Sequence, residues 1–344
     1  MERKKIVTIG GGTGSFMLLS GLKKYQVDIS AILSMADDGG STGTLRDELG
    51  VLPPGDVRQC LVALSESSQT LRNLLNYRFE SGGLEGHNFG NLLLSALEKI
   101  SGSFDKGVEE AIKILNVKGE VIPVSDEDMR LRIKLKNGKV LNGEKELDKN
   151  EEIKEVGIEN ISLQSRVKAN KKAIQRIEEA DMIVIGPGDY YGSILPNLLV
   201  GGISKAIRKS KAAVVYNCNL TNKKGQTQGY DLDDYVDGIN SMIGAERIDY
   251  VTFNIHSPSQ EAIDKYEGQE GKGMLTLFNE NKKEKRNYKI IRADLLRESE
   301  VKTAKNDPIA DTRSFIRHDS DKVAKTLMIL SELGEYENLI KEII

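Results

Sequence analysis

No tryptophan occurs in the 344 residues, aromatics make up only 5%, and there are just two cysteines and three histidines. Without tryptophan and with so few aromatics, the chain lacks the stacking platforms that hold single-stranded nucleic acid. Lys+Arg number 49 against 52 Asp+Glu, a net charge of -3, so the electrostatic footprint of a nucleic-acid binder is also missing. Cys60 and Cys218 form no CxxC pair, and His87, His256 and His318 are scattered. That leaves no ligand spacing for zinc, and no GxSxG elbow is present for nucleophilic catalysis. No run of 18 apolar residues occurs, and Ile6–Ile9 is too short for the core of a secretory signal. The expectation is a cytoplasmic protein with reduced thiols, no membrane association and no nucleic-acid partner.

What the chain has in quantity is glycine, 33 residues gathered in a few clusters. KIVTI (5–9) runs into Gly10-Gly-Gly-Thr-Gly14, residues 16–22 have helical spacing, and the second apolar run, 27–35, ends in Asp37-Asp38-Gly-Gly. Strand, glycine turn, helix, strand opens a βαβ unit, whose parallel sheet needs helices on both faces. Later runs at 181–185, 212–216 and 249–254 also end in glycine or polar clusters, and helices are expected over 56–65, 90–100, 200–209 and 319–333. In open α/β sheets the C-terminal strand edge is where ligands bind. Residues 117–160 differ: 9 Lys/Arg and 11 Asp/Glu fall among 44 positions, and RLRIKL, Asn137-Gly138, then Lys139–Leu141 reads as a hairpin. The division expected is an α/β core over 1–116 and 161–344 with a small antiparallel β subdomain inserted at 117–160. NENKKEKRNYK (279–289) looks like a linker or a solvated hairpin tip.

GGGTGS (10–15) lies between strand and helix, where backbone N–H groups of Gly11, Gly12, Thr13 and Gly14 can face an anion. Ser15 breaks the dinucleotide fingerprint GxGxxG, and no lysine supplies a Walker A ending. A phosphate cradle of another type remains, with a structural turn as the alternative. Asp37 and Asp38 could accept from a ribose, hold a divalent metal or sugar hydroxyls, or cap the next segment. Gly39-Gly-Ser41-Thr42-Gly43 and Arg46 follow them; two glycine loops with hydroxyls and an arginine suit a ligand with two phosphates. Asp56 is expected to cap a helix, with Arg58 reaching a phosphate or a nearby aspartate. His87-Asn88-Phe-Gly-Asn91 is either ligand contact or structure, with Asn91 as helix cap and His87 as an acid/base candidate without an evident partner. Gly186-Pro-Gly188 with Tyr190, Tyr191 and Ser193 would form another wall, and Asn217, Asn219, Thr221 and Thr227 would supply neutral donors and acceptors for a base or sugar. Arg317-His318-Asp319 reads as a helix start, with Asp319 or Ser320 as cap.

Taken together, GGGTGS (10–15), ADDGGSTGTLRDELGVLPPGDVRQCLVAL (36–64), HNFGN (87–91), GPGDYYGSILPNLLVGGI (186–203) and RHD (317–319) closely resemble the YvcK-type gluconeogenesis factor family, within the CofD-like superfamily. The ordered match runs from about residue 6 to 235 and resumes at the C-terminal motif. The resemblance implies a Rossmann-like, doubly wound α/β core with a nucleotide-diphosphate-sugar pocket. It further implies a UDP-sugar-binding regulator needed for growth on gluconeogenic carbon sources and for normal cell shape. Such a regulator would require no cofactor, would act through an unidentified protein partner and could self-associate. The CofD branch instead transfers a phospholactyl group from a guanosine diphosphate donor to a deazaflavin with Mg²⁺. This chain has PPGDVRQ where that branch reads PDxDT; only Asp37 and Asp38 match its acidic pair and would be the Mg²⁺ ligands. Two departures from the gluconeogenesis-factor pattern, Gln226 for a glutamate and Tyr235 for a histidine, border the expected base and sugar side.

Overall fold

Five of the six residues of β1 (Lys5–Gly10) are buried, as are five of six in β2 (Asp28–Leu33), and all four of Met182–Ile185. A strand with no exposed face must lie inside a sheet covered on both sides, and the computed structural model, which describes residues 3–298 and 315–343, has that arrangement. The remaining strands are β3 (Glu120–Pro123), β4 (Leu131–Leu135), β5 (Val140–Asn142), β6 (Ile158–Leu163), β7 (Met182–Ile185), β8 (Ala213–Asn217), β9 (Tyr250–Asn254) and β10 (Lys289–Ala293). Seven of them form one sheet in the order β10-β9-β8-β7-β1-β2-β3, and every pairing within it is parallel.

From β1 the chain first builds outward through β2 and β3, then returns to β7 on the other side and continues to β10. Right-handed crossovers in opposite directions put the two sets of helices on opposite faces. The helix Gly12–Leu22 packs against Gly55–Leu64 and the C-terminal helix Ser320–Ile343, and Lys171–Glu179 packs against Ile203–Lys209. In the C-terminal helix, Val323, Leu327 and Leu330 point inward as their spacing predicts. Asp319 caps it by accepting from the N–H groups of Asp321 and Lys322, both at 2.9 Å. No helix among the described residues is long and apolar enough to cross a membrane.

Two expectations need correction. The inserted subdomain does not begin at 117: β3 is the edge strand of the main sheet, in register with β2 from Ser30↔Glu120 to Leu33↔Pro123. The flanking charges Lys118 and Glu120 disguise it, because an edge strand tolerates polar ends. The separate antiparallel sheet is β5-β4-β6 and closes at Leu163, past the expected end at 160. Its alternation holds, with Leu131, Ile133 and Leu135 buried and Arg132 and Lys134 exposed. The stretch 279–289 is no hairpin tip. A short turn at Glu280–Lys282 leads into β10, which lies parallel to β9, and Arg286 is paired with the buried Asp233 at 2.7 Å.

Candidate functional site

The strand order reverses between β1 and β7, and a parallel sheet opens a crevice at the C-terminal ends of its strands there. A cavity of about 500 Å³ occupies that place, lined by the segments that follow β1, β2, β7 and β8. Three helices begin at it. Gly12–Leu22, Gly40–Leu49 and Gly55–Leu64 have Gly11, Gly39 and Pro54 at their N-caps, and no side chain caps any of them. Their first-turn N–H groups therefore have no side-chain acceptor at the cap, and the helix dipoles add positive potential at the same place.

Two of the glycines allow a close approach that a side chain would obstruct. A Cβ on Gly11 would lie 2.3 Å from an Asp56 carboxylate oxygen, and one on Gly14 would lie 2.0 Å from the Pro187 carbonyl oxygen. Gly12 has φ +58°, the left-handed region that glycine adopts readily. Gly188, Tyr190 and Ser193 line the opposite wall with Pro187. Gly186 does not reach the cavity; at φ +72° it turns the chain out of β7. Tyr191 turns away as well, its hydroxyl 3.1 Å from that of Tyr230.

Ser41, Thr42, Arg58, Asn91, Thr221 and Thr227 line the cavity. Asn91 is not the helix cap. Asn88 is, accepting from the N–H groups of Gly90 and Asn91, so Asn88 is structural and Asn91 is left to hold Arg58 Nε at 3.0 Å. Arg58 also donates to Asn76 Oδ1 at 2.5 Å, which fixes its guanidinium. Asp56 likewise is not a cap; it sits in the first turn, behind Pro54, and lines the cavity. Thr227 Oγ1 accepts from Lys223 N–H at 3.0 Å.

Four other expected contacts are turned to structural work. Arg46 is 3% exposed; it donates to Asp128 from Nε at 2.8 Å, to the Asp37 carbonyl and to the Met129 carbonyl. Asp38 accepts from Lys145 N–H at 2.7 Å and so ties the inserted subdomain to the core. His87 lies outside the cavity lining, its Nδ1 3.3 Å from Ser41 Oγ. Asn217 is fully buried, accepting from Thr252 Oγ1 at 2.7 Å and resting 3.1 Å from His318 Nε2.

The Asp37–Asp38 pair does not fit a two-carboxylate clamp for Mg²⁺. Asp37 Oδ1 accepts from Gly39 N–H at 2.9 Å, whereas the Asp38 carboxylate faces Lys145 and Gly143. The two carboxylates thus serve different neighbours, and among the described residues no group of three His, Cys, Asp or Glu is placed to hold a metal ion.

The inserted subdomain contributes a wall that no local motif announces: Glu144, Lys145, Asp148 and Lys149 all line the cavity. Lys223 Nζ bridges Asp148 at 3.0 Å and Asp189 at 2.6 Å, joining the insertion to the loop after β7. Asp189 in turn accepts from Gly192 N–H at 2.7 Å and opens the π turn Tyr190–Ile194. Gln226 Nε2 donates to the Leu147 carbonyl at 2.8 Å, a second tie. Burial works to raise the Asp189 carboxyl, but the Lys223 ammonium together with the Gly192 and Tyr191 N–H groups holds it below the ordinary range. At Glu144 the balance goes the other way: burial, then Asp37, Asp148, Asp189 and Asp56 around it, push its carboxyl well above the ordinary range.

His318 also borders the cavity. Burial lowers its pKa to about 4 from 6.5, against a hydrogen bond to the Cys218 backbone that pulls it up. The unfolded chain therefore binds the extra proton between those values, so this group's contribution is complete above pH 6.5 and is lost as pH falls towards 4. At about 1.4 kcal/mol per unit the loss is roughly 3 kcal/mol. In His318→Gln that component should disappear, read as the difference between wild-type and variant denaturation midpoints across pH 4–7. An unchanged pH slope in the variant would rule the assignment out.

The family described as 2-phospho-L-lactate transferase CofD matches residues 6–296. The gluconeogenesis factor of Bacillus subtilis is 38% identical over 331 residues, covering 96% of this chain and 98% of its own. A relative from Thermoanaerobacterium thermosulfurigenes is 41% identical over 329 residues, 95% of this chain and 97% of its own. A solved structure of a UPF0052 family member from Bacillus halodurans superposes with a TM-score of 0.86 at 37% identity, covering 95% of this chain and 99% of that one. With the three-helix cavity at the strand switch and these near full-length likenesses, the chain belongs to the gluconeogenesis factor family, within the CofD-like group.

Proposed function

We infer that the protein is a cytosolic regulator that binds a nucleotide diphosphate sugar, such as a UDP-sugar, and supports growth on gluconeogenic carbon sources and normal cell shape. One observation carries the binding: three helix N-termini without side-chain caps open onto one cavity at the sheet's switch point. Backbone N–H groups and helix dipoles at such a place favour phosphate. About 500 Å³ suits a small-molecule ligand that reaches beyond the phosphates. Thr221, Thr227 and Asn219 on the far wall supply neutral hydrogen-bonding groups for a base or sugar. A regulator of this kind passes its state to a protein partner, and the charged face of the inserted sheet is the surface for it.

The family match favours a second reading, a group transfer from a nucleotide diphosphate donor. The structure offers that chemistry little, since His87 is outside the cavity and the Asp37–Asp38 pair is split. Calorimetric titration with UDP-sugars, UDP, GDP and NAD, with and without Mg²⁺, separates the two. Saturable UDP-sugar binding with the ligand recovered intact is expected. Preference for GDP, or consumption of the ligand, would put the transferase first.

A further inference from the structure

Arg78 lines the cavity half-buried, yet its side chain gives only one hydrogen bond, from Nη1 to the Gly86 carbonyl at 2.7 Å, and among the described residues it forms no ion pair. Its place is set by the chain around it. Residues 77–89 fold back on themselves as a small hairpin. Phe79 N–H donates to the His87 carbonyl at 2.9 Å, Gly86 N–H to the Phe79 carbonyl at 2.9 Å and Phe89 N–H to the Tyr77 carbonyl at 2.8 Å. Arg78 thereby stands opposite Asn88, whose N–H donates to Ser41 Oγ at 3.3 Å. Ser41 belongs to the first turn of Gly40–Leu49, one of the three helices that begin at the cavity. Arg58 comes to the same corner, since Asn76, two positions before Arg78, accepts from its Nη1 and Asn91 accepts from its Nε. Ser41 Oγ also accepts from Asn91 Nδ2 at 3.4 Å. With both lone pairs of the hydroxyl used, Ser41 has only its proton left to offer, to His87 Nδ1 at 3.3 Å or to a ligand.

We propose that Ser41, Arg58 and Arg78 form an anion subsite beside the N-terminus of Gly40–Leu49, and that Arg78 grips one phosphate of the bound nucleotide there. That the anion is a nucleotide's phosphate rests on the nucleotide-sugar reading above. The groups that meet at this corner are donors: two guanidinium groups, a hydroxyl proton and the positive end of a helix dipole. A guanidinium can give two parallel N–H groups to one phosphate. The carboxylates of the cavity, by contrast, gather around Glu144, where Asp37, Asp56, Asp148 and Asp189 act on it. The hairpin 77–89 is thereby a working part of the site: it sets Arg78 against the helix start that Ser41 occupies.

The test is calorimetric titration of the full chain with UDP-glucose and with pyrophosphate, in wild type, Arg78→Gln and Arg78→Lys. Arg78→Gln keeps an N–H for the Gly86 carbonyl and removes the charge, so it should weaken both ligands by at least about tenfold, the scale of one charge-assisted hydrogen bond. Arg78→Lys keeps the charge without the fork and should lose less. Both variants should melt with the wild type, because a half-buried side chain bonded only within its own hairpin carries little of the fold. Arg78→Gln affinities within about threefold of wild type, equal losses in the two variants, or a loss that follows a lowered melting temperature would each overturn the phosphate role of Arg78. If the folded wild type binds pyrophosphate, and Arg78→Gln weakens it, while UDP-glucose is not bound, the subsite stands and the nucleotide-sugar reading falls. Binding of neither overturns both.

Discussion

Replacing Arg46 with alanine should destabilise the protein by about 3 kcal/mol, as for other buried charged groups with several hydrogen bonds. The side chain is buried and satisfies three separate partners, the Asp128 carboxylate and the Asp37 and Met129 carbonyls. Truncation leaves both carbonyls without this donor and cuts the tie between the loop after β2 and the segment leading into the inserted sheet. Arg46→Lys should recover only part of the loss, because an ammonium cannot span three acceptors in a planar fork. Urea denaturation followed by circular dichroism measures it. A change under 1 kcal/mol together with lost ligand binding would return Arg46 to the role of a phosphate contact.

The second large effect belongs to Gly14. An added methyl would sit 2.0 Å from the Pro187 carbonyl oxygen and 2.6 Å from its carbon, both backbone atoms of the facing wall. Neither side can yield without moving a whole loop, so Gly14→Ala should push the first helix away from the loop after β7. Overpacking of this kind costs about 1–3 kcal/mol, and binding of a nucleotide diphosphate should fall by at least about a hundredfold, or about 2.7 kcal/mol. Gly12→Ala is the contrast. Its Cβ would meet nothing closer than 3.8 Å, so only the left-handed backbone at φ +58° resists it, at about 1–2 kcal/mol. If the two variants bind equally well, close approach of the two walls is not what shapes the cavity.

The parallel core was legible because each of its central strands is a short apolar run ending in glycine or a polar cluster, a pattern that needs only neighbouring residues to be seen. The glycine turn at Gly11–Gly14, between a strand and a helix, was legible for the same reason. What escaped is non-local. Arg46 looks like a phosphate ligand beside two glycine loops, and only its partner 82 positions away shows otherwise. Asp38 is claimed by Lys145, 107 positions away. Glu144 and Asp148 sit in a charged stretch whose composition says solvent, yet the fold makes that stretch part of the cavity lining. Cap positions were misplaced by a few residues, as with Asn91 for Asn88, because asparagine at either place satisfies the local pattern. β3 and β10, the two edge strands, were hidden because each begins inside a charged stretch that reads as insertion or linker.

The centre of the sheet also has a temporal meaning. Lys5 at the start of β1 donates to Asp181, 176 positions onward, and β7 then pairs with β1 along its length. Among the strand pairings of the sheet this one spans the greatest sequence distance, and distant closures are entropically costly and slow to form. Before it occurs, the glycine loops of β1 and β2 face no opposing wall, since Pro187, Gly188 and Ser193 arrive only with β7. During synthesis, therefore, the first half of the chain can be long complete while it still has no pocket to fill.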